Sequence, residues 1–244
     1  DHQHKSSIRQ GLLAIMAPNE PNYQAQFANF LVEESHKGEV HLQKVRDDFD
    51  KKARKAIKAD GVRVIAACGD QQKSVANLKA DIGLFTKAIL ELLKENQEKK
   101  LTWVDLCAQT KLKVEKEGSQ QVPQLTSSRD IDLEEEMYIT PPQSKGKRIA
   151  LLIGINYEGE SNELQCCHND TRAMKEYLIN YEGFKEEDMT ILMDDGVHKN
   201  PTKKNINAAL KQIARSGEPG DSFFFYFSGK WLTEAAGHCG GGAR

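Results

Sequence analysis

The hydrophobic pattern is clearest in the last third of the chain. Ile149-Ala-Leu-Leu-Ile-Gly-Ile155 is a continuous apolar run behind three basic residues, Lys145, Lys147 and Arg148. A strand that is apolar on both faces is covered on both sides, as in a parallel sheet. From Thr171 to Asn180 the period changes, and Ala173, Met174, Tyr177 and Leu178 fall at helical spacing. Met189-Thr-Ile-Leu-Met193 predicts a second strand, closed by Asp194-Asp195-Gly196. Pro201-Thr202 opens a helix with Ile206, Ala209, Leu210 and Ile213 inward, and Gly217-Glu-Pro-Gly220 ends it. The aromatic run Phe223 to Phe227 predicts a third strand, which surfaces at Ser228-Gly229. The order is βαβαβ, with crossovers long enough for right-handed parallel connections. In such sheets ligands bind beyond the carboxyl ends of the strands. Those ends are Gly154-Ile155-Asn156, Asp194-Asp195 and Ser228-Gly229.

Upstream the pattern is weaker. Ile8 to Met16 reads as a strand and Val40 to Ala59 as a helix ended by Asp60-Gly61. Val62 to Cys68 is a short β-branched strand. Ile82 to Glu95 is an amphipathic helix with Phe85, Ile89, Leu92 and Leu93 inward. A second helix, Thr102 to Glu115, starts at a Thr102 cap with Asp105 at its third position. Pro123 confines Gln121 to Thr126 to a sheet edge or strand end. Thr140-Pro-Pro-Gln-Ser144 marks a boundary. The chain thus divides into 1–60, 61–139, a linker at 140–144, 145–229 and a tail at 230–244. Neither half has enough strands to bury its apolar runs alone, so 62–68 and 122–127 are expected to join 149–155, 189–193 and 223–227 in one sheet.

Composition narrows the classes. Apolar residues are 39% and charged residues 29%, with a net charge of -2. That balance argues against a nucleic-acid binder driven by phosphate contacts. No apolar run approaches the roughly 18 residues of a membrane span, so no membrane partner is expected. Five cysteines at irregular spacings do not make a disulfide framework, which points to reduced thiols and a cytoplasmic location. The loop Asn156-Tyr-Glu-Gly-Glu160 is acidic and unsuited to phosphate.

Five blocks in order then carry a resemblance: Lys147-Arg-Ile-Ala-Leu-Leu-Ile-Gly-Ile-Asn-Tyr157, Asn162-Glu-Leu-Gln-Cys-Cys-His-Asn-Asp170, Asp188-Met-Thr-Ile-Leu-Met-Asp-Asp195, Pro201-Thr202 and Pro219-Gly-Asp-Ser-Phe-Phe-Phe-Tyr-Phe-Ser-Gly229. Together they resemble the p20 region of the metacaspases, caspase-like cysteine peptidases of family C14. Ala67-Cys-Gly-Asp-Gln-Gln72, Gly83-Leu-Phe-Thr86 and Gln121-Val-Pro-Gln-Leu-Thr-Ser-Ser128 resemble the p10 region. Here p10 precedes p20, an order similar to that of type III metacaspases; a fragment joining two tandem caspase-like units would look the same. The resemblance implies a doubly wound, mostly parallel α/β sheet with helices on both faces. It also implies cleavage of peptide or protein substrates after Arg or Lys by a Cys-His dyad, with calcium as an activator in many members.

On this resemblance Asp170 matches the acid that lines the S1 pocket, Cys167 a pocket-side cysteine, and Ser228 the serine beside the catalytic His. Asp170 is expected at the carboxyl edge of the sheet, near Ser228 and open to solvent; the competing reading makes it the N-cap of the following helix. The family's His position is occupied by Lys230, whose ordinary pKa near 10.4 makes it a poor base at neutral pH. The family's catalytic Cys lies on the next strand, and neither that block nor the acidic calcium loop is found in Trp231 to Arg244. The chain as written is therefore expected to be inactive, either a peptidase recorded without its catalytic segment or a non-catalytic caspase-like module. The pair His238-Cys239 is not expected to act as a dyad, nor Asp1-His2-Gln3-His4 to chelate a metal. His168 and His198 are expected in exposed loops, and Asp194-Asp195 as a polar strand exit rather than a cation site.

Overall fold

The computed structural model describes residues 8–16, 63–68, 74–77, 81–97, 99–127, 134–161 and 163–231, with backbone alone for 8–16, 77, 127 and 231. The expected helix at Val40 to Ala59 and the terminal pairs His2/His4 and His238-Cys239 lie outside these residues.

The strands are β1 (Ile8–Met16), β2 (Arg63–Ala66), β3 (Ala76–Asn77), β4 (Ile82–Gly83), β5 (Gln124–Ser127), β6 (Arg148–Gly154), β7 (Met189–Met193) and β8 (Ser222–Trp231). The helices are α1 (Leu84–Glu95), α2 (Trp103–Lys116), α3 (Cys167–Glu182) and α4 (Lys203–Ser216). Six strands form one sheet in the order β5-β2-β1-β8-β6-β7, and β3 with β4 makes a separate two-stranded ribbon. Both halves of the chain therefore contribute to one sheet, as the strand count required.

Period-two alternation divides the core. Ala150, Leu152, Phe224 and Tyr226 face one cluster with residues of α1, α2 and α3, including Phe85, Ile89, Leu106, Met174 and Leu178. Ile149, Leu151, Ile153, Phe223, Phe225 and Phe227 face Ala209, Leu210 and Ile213 of α4 on the other side. The continuous apolar runs have their explanation here: both faces of β6 and β8 are covered. β6 pairs in parallel with β7 and with β8, as the crossovers demand. The pairings β1–β8, β1–β2 and β2–β5 are antiparallel, so the parallel part of the sheet is confined to β8, β6 and β7. Pro123 does stand beside an edge strand, β5.

Three boundaries differ from the pattern. α1 begins at Leu84, because Ile82 and Gly83 pair with β3. α3 begins at Cys167 rather than Thr171. β8 does not end at Phe227; it runs to Trp231, held by pairing with Ile8 to Met16. Lys230 thus belongs to the sheet, opposite Arg9, and is 5% exposed. α2 has the expected start: the Thr102 hydroxyl accepts from Asp105 N–H at 3.0 Å, and Asp105 accepts from the Thr102 backbone N–H in return.

Candidate functional site

Register brings the carboxyl ends of β6, β7 and β8 to one level, with Gly154 opposite Ser228 on one side and Met193 on the other. The Ile155 amide donates to the Ser228 carbonyl at 2.9 Å, which extends that pairing by one step. Gly154 lets α3 start against this edge. A Cβ there would lie 2.4 Å from Thr171 Oγ1 and 2.8 Å from the Cys167 carbonyl. Asn156 just beyond β6 then caps the helix from outside, its Oδ1 accepting from the Cys167 amide at 3.0 Å.

The first turn of α3 delivers Asp170 to Ser228, whose Oγ donates to Asp170 Oδ2 at 2.8 Å. The other oxygen, Oδ1, accepts from the Gly83 amide at 2.7 Å. Gly83 immediately precedes α1, so the carboxylate lies at that helix's positive end. Thr86 lies at the same edge, its hydroxyl meeting the Tyr226 OH at 2.7 Å. The acid is thus held by both halves of the chain. Desolvation nevertheless wins: burial pushes the Asp170 carboxyl up from 3.8 to about 6, against the hydrogen bonds from Gly83 and Ser228. The nearby Asp81 carboxylate pushes the same way.

Asp170, Cys167 and Ser228 line one cleft with Gly83, Thr86 and Cys166. The structure thus places these three sequence-predicted residues side by side. The sequence reading erred in leaving Asp170 open to solvent, since the residue is 5% exposed. The capping alternative also fails by position: Cys166 is the N-cap, and Asp170 is the fourth residue of the helix, its amide donating to the Cys166 carbonyl at 2.8 Å. The cleft is narrow, about 30 Å³, room for a water rather than a guanidinium.

Backbone strain gathers around the same edge. Asp81, Tyr157 and Cys166 are the non-glycine residues with positive φ among those described, at 51°, 58° and 77°. The Cys166 thiol donates to Asp81 Oδ1 at 3.5 Å, and Asn169 Nδ2 donates to Asp81 Oδ2. Tyr157 reaches the end of β8: its OH donates to the Lys230 carbonyl at 2.8 Å, and Lys230 Nζ sits 5.3 Å from the centre of its ring.

The histidines correct a further expectation. His168 is buried, and its Nε2 lies 2.6 Å from Asp194 Oδ1. Asp194 also accepts from the Asn156 and Tyr157 amides at 2.9 and 2.7 Å, so it pins the loop after β6. Asp195 accepts from the Val197 and His198 amides and from the His198 ring, and pairs with Arg172. Hydrogen bonds to His198 and Val197 hold the Asp195 carboxyl well below its ordinary range, although burial opposes them. The adjacent acids are therefore a strand exit saturated with internal donors. Among the described residues no group of three or more His, Cys, Asp or Glu is arranged to hold a metal ion. Sequence reasoning missed Gly83, Thr86 and Tyr157 as site residues. The Gly83-Leu-Phe-Thr86 block was visible, but nothing in it shows that it points at a residue 87 positions away.

No helix among the described residues is long and apolar enough to cross a membrane. Residues 147–239 match the family described as metacaspase, peptidase C14 domain, a match that includes Lys230 and nine residues beyond it. The chain is 40% identical over 200 residues to Metacaspase III c of Phaeodactylum tricornutum, covering 76% of this chain and 59% of that protein. A match of that length cannot be contained in residues 147–244, so it extends into the upstream half in the same chain order. Metacaspase-1 of Mycosarcoma maydis is 45% identical over 87 residues, 35% of this chain and 21% of that protein. Metacaspase-1 of Schizosaccharomyces pombe is 44% identical over 87 residues, 35% of this chain and 20% of that protein. The chain thus spans less than two thirds of the length of each of these relatives. With the caspase-like α/β sheet already in hand, these matches make the chain similar to the metacaspases in both its upstream and its downstream half.

Proposed function

We propose that the cleft around Asp170 is the S1 pocket of a caspase-like cysteine endopeptidase that takes Arg or Lys at P1. The carrying observation is the Asp170 carboxylate itself, buried, accepting from Ser228 and Gly83, and facing a cleft. Each oxygen has one protein donor and a further lone pair for a ligand. Two such lone pairs suit the forked donors of an arginine. Its donors are the Gly83 amide and the Ser228 hydroxyl, both neutral, so the charge is left for a ligand. Entry of an arginine side chain requires the Ser74-Val75-Ala76 wall to move outward, given the size of the cleft.

Catalysis needs more than this pocket. A thiol becomes a nucleophile at neutral pH when an adjacent base takes its proton. The described histidines are engaged elsewhere, His168 with Asp194 and His198 with Asp195. Lys230 stands where the family resemblance places the base, and its backbone is locked between β1 and Tyr157. That observation favours a second reading, a non-catalytic module that binds basic segments of a partner without cutting them. Both readings share the pocket. The test is a titration of the full chain with Nα-acetyl-arginine amide and, in parallel, with the neutral Nα-acetyl-citrulline amide, followed by amide NMR shifts. Binding of the arginine amide alone, lost in Asp170→Asn, supports the pocket; equal response to both ligands, or none, overturns it.

A further inference from the structure

We infer that Gly83 and Thr86, from the upstream half of the chain, are positioning residues for Asp170 and so set the pocket's preference for a forked cation. The inference rests on the S1 reading above and adds to it which residues aim the acid.

The Gly83 backbone is extended, φ -65° and ψ 136°, a conformation open to any residue. Its lack of a side chain is therefore not a backbone requirement. The space is what forbids one: a Cβ at 83 would lie 2.7 Å from Asp170 Oδ2 and 3.3 Å from Oδ1. The same residue donates its amide to Oδ1 at 2.7 Å. Gly83 thus presents a bare backbone donor against a carboxylate and leaves no room for anything else. Thr86, in the first turn of α1, is 2% exposed, meets the Tyr226 OH at 2.7 Å and lines the cleft together with Asp170. If the Tyr226 hydroxyl donates to Thr86, the Thr86 hydroxyl is free to donate to the acid, and a chain of such bonds is stronger than its members alone. With Ser228 donating to Oδ2 from the opposite side, the carboxylate plane is fixed by neutral donors, and its charge is left for a ligand. A misplacement of about 1 Å at such a site can cost about a hundredfold, so the aim of the carboxylate matters as much as its presence.

The experiment measures affinity for Nα-acetyl-arginine amide by amide NMR titration of the full chain and of Gly83→Ala, Thr86→Val and Thr86→Ser. The expected result is a loss of about tenfold or more for Gly83→Ala and Thr86→Val, with Thr86→Ser staying close to wild type because it keeps the hydroxyl. A wild-type chain that binds the arginine amide, with both disruptive variants binding equally well, overturns the inference and leaves the pocket standing. A wild-type chain that binds nothing sinks the pocket reading instead, and thermal unfolding then decides the positioning role. Gly83→Ala should lower Tm in the wild-type background and do so much less on Asp170→Ala, because the clash partner is gone; equal losses in both backgrounds overturn the inference. If Gly83→Ala does not fold in the wild-type background but does fold on Asp170→Ala, the coupling is demonstrated directly, and failure in both overturns it.

Discussion

A carboxyl buried between two halves of a protein should make stability fall as pH rises through its titration. Asp170 has an ordinary value of 3.8 and is pushed up to about 6 in the fold, chiefly by desolvation. The sign follows from proton binding. Between these values the folded chain binds the proton and the unfolded chain does not, so raising the pH favours unfolding. The stabilising contribution is full below 3.8 and is lost as pH passes through about 6. At about 1.4 kcal/mol per pKa unit the whole effect is about 3 kcal/mol, and about 2 kcal/mol of it falls between pH 4.5 and 7.5. Other acids move the opposite way: Asp195, for one, is held low by its donors. The perturbation that isolates Asp170 is therefore Asp170→Asn. Its amide oxygen still accepts from Gly83, its nitrogen can donate to Ser228 Oγ, and it does not titrate. Urea unfolding of both proteins across this range, taken as a difference, cancels the other groups. The variant should gain about 2 kcal/mol on the wild type from pH 4.5 to 7.5 and level off above about pH 7. A flat difference refutes the reasoning. A gain by the wild type would mean that Gly83, Ser228, Thr86 and the start of α1 outweigh burial.

Other consequences are simpler to check. Arg63 is 3% exposed and holds Glu135 at 2.6 Å, so Arg63→Ala should cost about 2–3 kcal/mol in urea unfolding, at the low end for buried pairs because Glu135 is partly solvated. Thr102→Ala removes one side of the α2 capping box and should cost about 1 kcal/mol, with Thr102→Ser close to wild type in the same assay. The chain should not hydrolyse fluorogenic Arg- or Lys-terminated peptides, with or without calcium, because a lysine, Lys230, stands where the family resemblance places the histidine base. Turnover by the purified protein that survives an inhibitor control would contradict that expectation.

Much of the downstream half was legible because its signals are long and two-sided. The apolar run of β6 and the aromatic run of β8 can be satisfied only by helices on both faces, and α3 and α4 carry matching stripes. The ends of elements were less legible. β8 looked finished at Ser228-Gly229, since a serine, a glycine and a lysine do not read as strand, yet pairing with Ile8 to Met16 carries it to Trp231. α3 looked as if it began after Asp170, because Cys166, Cys167 and His168 are weak helix formers; the cap from Asn156 starts it earlier. His168 looked like a loop residue for the same reason, and only the fold shows Asp194 waiting for its ring. The site was legible where a family pattern ran through it, at Cys167, Asp170 and Ser228. Gly83 and Thr86 were not, since packing between distant parts of the chain leaves no local trace.

An S1 pocket at Asp170 requires its carboxylate to receive a cationic side chain. The most direct measurement is the ¹³C titration of its side-chain carboxyl by NMR, assigned by its disappearance in Asp170→Asn, in the absence and presence of saturating Nα-acetyl-arginine amide. The midpoint should lie near about 6 in the ligand-free chain. An opposite charge at contact lowers a carboxyl by about 1–3 pKa units, so the arginine amide should bring the midpoint to about 5 or below, while the citrulline amide leaves it in place. A midpoint that the arginine amide does not move would contradict the account.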